Sequence, residues 1–295
     1  MGQRVFVTGG TGVLGRRLVP RLVQAGHQVT AVARSPEKAD ALRAAGAEPI
    51  TVDLFDRAAL RVVLEGHDSV AQLATHIPTG PAAVDPAAWR VNDSLRREAA
   101  PAIAAAATDA GVTRLIQESI TFPYVDGGDQ WIDEQFQREY NATNDSVAAA
   151  EAAANAFADA GGVGIALRFA LFMAPDSAHT TNFHSAAQRG RFAVVGDLDG
   201  YVSFIHMDDA AAAVIAALEV PAGTYNVAEP APVRRSAHCE ALASAVGRSR
   251  LEQVATPSAA GATSLARSHR ISSRSLSEVS SWAPSVHCVD QWKEL

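Results

Sequence analysis

The chain has 295 residues, 48% of them hydrophobic, with two cysteines and a formal net charge of −7. That length buries a large core, and an acidic balance without a basic cluster interleaved with aromatics argues against a nucleic-acid partner. Cys239 and Cys288 have neither metal-ligand spacing nor numbers for a disulfide framework, which predicts reduced thiols in a cytoplasmic protein and no metal site. No apolar run reaches the ~20 residues a membrane span needs, and the chain enters an apolar strand too early for a secretory leader.

That strand is Val5-Phe6-Val7, and it runs into Thr8-Gly9-Gly10-Thr11-Gly12-Val13-Leu14-Gly15. A buried strand, a glycine turn and then a helix form the cradle of a dinucleotide. The glycines let the backbone approach a pyrophosphate, and the helix N-terminus faces its charge. A first helix is predicted over Val13–Ala25, interrupted by Pro20 and closed by Gly26, followed by strand two over His27–Ala33.

The alternation continues along the chain. Helices are predicted over Glu37–Ala45, Asp56–Glu65, Pro86–Ala110 (with a break at Pro101) and Asn144–Ala160. Strands are predicted over Pro49–Val52, Ser69–Ala74, Thr113–Gln117 and Val163–Arg168. This rhythm specifies an α/β fold, a doubly wound parallel sheet of Rossmann type with right-handed crossovers. Past Arg168 the rhythm changes. Phe169–Pro175 leaves the sheet, Ala187–Val195 turns into a short strand, Met207–Leu218 reads as a helix and Gly223–Ala228 as a strand. The dinucleotide-binding domain is therefore placed at 1–172, with 200–228 returning to it. A small C-terminal lobe covering the substrate takes 173–199 and 229–295.

Thr8–Gly15, Val52-Asp53-Leu54, Leu73-Ala74-Thr75, Val91-Asn92, Leu167-Arg168-Phe169, Ile205–Ala210, Tyr225-Asn226-Val227 and Trp282-Ala283-Pro284 together resemble the extended and atypical short-chain dehydrogenase/reductases, the NAD-dependent epimerase/dehydratase family. They follow the family's order across nearly the whole chain.

In NAD-binding versions of the glycine turn an acid ends strand two and takes the ribose hydroxyls. No acid occurs between Arg16 and Pro36, and strand two ends in Ala33-Arg34-Ser35. A guanidinium fork and a hydroxyl suit a 2′-phosphate, which predicts NADP(H), with Lys38 as a further contact. The pyrophosphate set is Gly9, Gly10, Thr11, Gly12, Val13, Leu14 and Gly15. The resemblance places Asp53 and Leu54 beside the adenine, Ala74 and Thr75 under the riboses, and the segment starting at Phe169 near the nicotinamide.

The resemblance also implies a Tyr-x-x-x-Lys pair, with a Ser or Thr, to move the proton and hold the nicotinamide ribose. Only two lysines exist, Lys38 on the adenosine side and Lys293 near the C-terminus, so the family lysine is missing. Tyr140 heads Tyr-Asn-Ala-Thr-Asn, with Asn144 in the lysine position. Anchoring instead on Ala150-Glu151 puts the tyrosine position near Thr143 and the lysine position near Val147. Ser119 or Thr121, after strand five, matches the family serine. Tyr124 falls near a pocket-lining tyrosine, and His76 projects from the end of strand four as a residue type that can pass a proton.

These residues predict an NADP(H)-dependent oxidoreductase of the atypical type, acting on a small hydrophobic carbonyl or alcohol without the usual Tyr–Lys pair. The proton donor is drawn from Ser119, Tyr124, Tyr140, His76 and Thr121. Ile77, Pro78, Phe122, Phe169, Phe172 and Phe183 suit an apolar substrate, whereas Arg189, Arg191, Arg234 and Arg235 could form a cluster for a nucleotide diphosphate. An isomerase, cyclase or lyase on the same scaffold and a non-catalytic NADP sensor are the alternatives. The resemblance implies a homodimer.

Overall fold

The computed structural model describes residues 2–295. The sheet strands are β1 (Arg4–Thr8), β2 (Gln28–Val32), β3 (Glu48–Ile50), β4 (Ser69–Gln72), β5 (Arg114–Ile120), β6 (Val163–Phe169) and β7 (Gly223–Val227). All neighbours are parallel, in the order β7-β6-β5-β4-β1-β2-β3. The order reverses between β1 and β4, and that switch point is where ligands dock in open α/β sheets.

Val5, Phe6 and Val7 are fully buried, because β1 is central and covered on both faces. The helices are α1 (Gly15–Gln24), α2 (Pro36–Ala44), α3 (Arg57–Leu64), α4 (Ala100–Asp109), α5 (Ser146–Asp159), α6 (Ala178–Gln188), α7 (Met207–Ala216) and α8 (Arg235–Ala245). Val5, Val7, Ala31 and Ile116 join the core under α1 and α7, while Phe6, Val70 and Leu115 join the core under α3, α4 and α5. Each valine, leucine, isoleucine or phenylalanine among them contributes about 1.5–3 kcal/mol when removed from water.

The expected helix over Pro86–Ala110 is not one helix. Short 3-10 turns at Gly80–Val84 and Pro86–Trp89 precede a helical turn over Arg90–Ser94, a π-helical turn over Leu95–Ala99, and then α4. Phe169 ends β6 instead of leaving the sheet. The covering elements are built from short two-stranded pairings, Leu171–Met173 with Phe204–His206 among them, over a third core that contains Phe192, Phe204, Leu242 and Trp292.

Candidate functional site

The turn after β1 is closed by the Gly12 amide donating to the Gly9 carbonyl at 2.9 Å. Gly9 has φ +70°, and a Cβ there would lie 2.6 Å from the Leu73 carbonyl oxygen. A Cβ on Gly15 would lie 2.2 Å from the Gly9 oxygen. Only glycine fits either position, so the turn and α1 pack as one unit. Beneath this turn runs a cavity of about 180 Å³. One end is lined by Arg34 and Lys38, the middle by Gly9, Thr11, Gly12, Val13, Leu14 and Gly15, and the far end by Leu73–His76, Leu95, Glu118 and Phe172.

Several expected contacts lie outside that cavity. Gly10 packs inward, against Ala31, Leu42 and Val19. Ser35 caps α2, its oxygen accepting the Lys38 amide. Asp53 is exposed and accepts the Phe55 amide at 3.0 Å, and Leu54 packs against the core under α3. Phe169 is buried behind Phe172, with ring centroids 5.4 Å apart.

A second cavity, of about 530 Å³, adjoins the far end. Neighbours in sequence divide between the two. His76 and Phe172 line the first, and Ile77 and Leu171 the second. Thr121, Phe122, Thr143 and Asn144 form one wall, and α6 supplies His179, Asn182, Phe183 and Ala186 to the same cavity. Its lining is mainly apolar, with Pro78, Trp89, Val194 and Val202 among the walls.

The four arginines do not form a cluster. Arg189 and Arg235 line the large cavity, Arg191 does not, and Arg234 pairs with Asp129 and stacks 4.9 Å over Tyr201. Arg235 is 1% exposed and donates to the Leu265 and Arg267 carbonyls at 3.2 and 2.7 Å.

Ser119 and Tyr124 belong to neither cavity. Arg168 grips Glu151 through Nε and Nη2 at 2.7 and 2.8 Å, and the Ser119 hydroxyl donates to the same carboxylate at 2.7 Å. The Tyr124 hydroxyl donates to Asn226 Oδ1 at 2.8 Å and accepts from Arg168 Nη1 at 2.7 Å. Burial pushes the Tyr124 phenol up to about 12. Burial opposes the charge on Glu151, but the Arg168 hydrogen bonds, with Ser119 and Arg138, bring its carboxyl below the ordinary value. Tyr140 is 36% exposed, lines neither cavity, and sits beside the Arg138 guanidinium.

A family model described as NAD(P)H-binding matches residues 9–162. The chain belongs to this family. It is 31% identical over 243 residues to the 3-diazoavenalumate denitrifying reductase of a Streptomyces species, covering 78% of each protein. It is also 31% identical over 275 residues to the 2-alkyl-3-oxoalkanoate reductase of Stenotrophomonas maltophilia, covering 85% of this chain and 78% of that one. The fold matches UDP-N-acetylglucosamine 4-epimerase from Methanobrevibacter ruminantium in complex with UDP-N-acetylmuramic acid, with a TM-score of 0.79 at 21% identity over 99% and 95% of the two chains. It matches dTDP-glucose 4,6-dehydratase from Streptomyces venezuelae, solved with NAD bound, with a TM-score of 0.79 at 18% identity over the same shares.

In this NAD(P)H-binding chain the glycine turn, the continuous cavity beneath it and the cationic end at Arg34 and Lys38 fit a dinucleotide. Of the expected proton donors, His76 lies at the junction of the cavities and Thr121 lines the larger one. His76 is exposed, and its backbone N–H donates to Asn92 Oδ1 at 3.0 Å. Thr143 reaches the large cavity, whereas Val147 is fully buried one turn on. Asn144 lines the same cavity and Tyr140 does not, so each register sets one of its two positions there. His179 was not expected, since nothing in its surroundings marks it. Burial lowers its imidazole below the ordinary value, which favours the neutral ring.

Proposed function

We propose that this chain is an NADP(H)-dependent reductase of a small, hydrophobic carbonyl compound, or of the corresponding alcohol in reverse. The observation that carries the reading is the junction of the cavities. His76/Ile77 and Phe172/Leu171 each put one residue on the cofactor side and the next on the apolar side. NADPH, when bound, supplies the hydride. Arg34 and Lys38 take its 2′-phosphate, and the turn from Gly9 to Gly15 takes its pyrophosphate. Apolar walls select a hydrophobic body and exclude water from the reacting carbon. Thr121 donates a hydrogen bond to the substrate oxygen, and His76 delivers the proton. Ser119 and Tyr124 are held in the buried network and Tyr140 outside it, so none of them takes part.

Purified protein with NADPH, NADH and a panel of aliphatic and aromatic ketones tests this directly. The expected result is loss of reduced-nicotinamide absorbance with NADPH and a hydrophobic ketone. Tight binding with no turnover on any hydrophobic carbonyl would remove the reductase reading.

A second reading concerns the acceptor. The Streptomyces relative is named for reducing a diazo compound. Replacing an aryl diazonium group by hydrogen releases dinitrogen and leaves no alkoxide to protonate. Such a reaction needs no Tyr–Lys pair, and the chain has no lysine besides Lys38 and Lys293. Turnover of an aryl diazonium salt, with ketones inert, would favour it.

A further inference from the structure

The far end of the cofactor cavity holds a buried ion pair that no step above uses. Glu118, near the C-terminal end of β5, lines the cavity; Arg96, from the π-helical turn, lies behind it. One Arg96 nitrogen, Nη2, donates to both Glu118 oxygens at 2.9 and 3.2 Å. The side chains are 2% and 7% exposed, and Arg96 Nε and Nη1 are buried with no partner among the described residues. Of the pair, Glu118 lines the cavity and Arg96 does not. With Arg34 and Lys38 at one end and the glycine turn in the middle, the Glu118 end receives the nicotinamide half of a dinucleotide. No lysine lies there, because Lys38 is at the other end and Lys293 is near the C-terminus.

We propose that Glu118, positioned by Arg96, accepts a hydrogen bond from the nicotinamide-side ribose and makes the site hold NADP⁺ more tightly than NADPH. A carboxylate accepts from ribose hydroxyls, and its charge attracts the cationic oxidised ring but not the neutral reduced one. A site biased in this way strengthens the bound cofactor as a hydride donor. This inference rests on the proposed NADP(H) reading.

The test is isothermal titration of NADP⁺, NADPH and 2′,5′-ADP, which lacks the nicotinamide riboside, into wild type, Glu118→Gln and the charge-balanced double variant E118Q/R96M. Both variants should bind NADP⁺ about tenfold more weakly, because they lose the carboxylate charge that favours the cationic ring as well as its stronger acceptance from the ribose. NADPH should weaken by about threefold or less, because the amide oxygen still accepts, and 2′,5′-ADP should not change. Equal losses for NADP⁺ and NADPH, unchanged NADP⁺, or a parallel loss of 2′,5′-ADP would overturn the role of Glu118. Wild-type protein that binds none of the three would overturn the cofactor reading itself.

Discussion

Tyr124→Phe separates a structural tyrosine from a catalytic one. The hydroxyl sits at 0% exposure between Arg168 Nη1 (2.7 Å) and Asn226 Oδ1 (2.8 Å). Removing it leaves Asn226 Oδ1 without its donor and Arg168 Nη1 with only the Glu134 carbonyl at 3.1 Å. A buried group deprived of its partner costs about 1–3 kcal/mol. For a domain of this size each kcal/mol moves the melting midpoint by about 2–4 °C, so the fall is about 2–12 °C. The phenol, pushed up to about 12, stays protonated across the working pH range and lines neither cavity. The variant's kcat/KM, measured where it is folded, should therefore stay within about threefold of wild type. Loss of a general acid would cost about 10²- to 10⁴-fold. A loss of that size with an unchanged melting midpoint would refute the structural assignment.

Arg34→Ala should weaken NADPH by about 10- to 100-fold and leave NADH unchanged, as read by cofactor fluorescence; equal effects on both would remove the 2′-phosphate contact. Gly15→Ala forces a Cβ to 2.5 Å from the Gly10 carbonyl carbon, so melting midpoint and cofactor affinity should fall together, with overpacking costing about 1–3 kcal/mol. Ala186→Phe narrows the large cavity, so kcat/KM should fall for bulky ketones and hold for short ones, whereas uniform loss would place the substrate elsewhere. Glu229 accepts the Phe204 and Cys288 amides at 3.0 and 2.9 Å, and burial pushes its carboxyl from 4.5 up to about 7. Between those values the folded state binds more protons than the unfolded one. Its contribution to stability is thus present below about pH 4.5 and is lost as pH rises toward about 7, by up to about 1.4 kcal/mol per pH unit. Denaturant titrations of Glu229→Gln should lose this slope, and an unchanged slope would assign it to other groups.

The cofactor half is legible because its signals are local. A strand, four glycines and the start of a helix lie within a dozen residues, and a missing acid is as readable as a present one. The helices α1 to α4 each stop two residues before a glycine, at 26, 46, 66 and 111. The catalytic half depends on distant partners. Ser119 meets Glu151 across 32 positions and Tyr124 meets Asn226 across 102. Residue type and strand-end position alone made both look available, and only the fold shows that their hydroxyls are engaged. Thr143 and Asn144, candidates of two different alignments, both line the large cavity, and spacing alone does not choose between them. His179 comes from α6, beyond the regular βα alternation, where no periodicity points a side chain toward the sheet. The π turn that carries Arg96 was hidden in an alanine-rich stretch whose composition reads as uniform helix.

On the proposed reading the two cavities form one site, with the cofactor's reacting ring at their junction. A crystal structure of the NADP⁺ complex tests it most directly. The 2′-phosphate is expected at Arg34, the pyrophosphate on the turn from Gly9 to Gly15, and the nicotinamide between His76 and Phe172, facing the cavity lined by Ile77, Thr121 and Leu171. A nicotinamide turned away from that cavity, or a dinucleotide bound elsewhere, would contradict it.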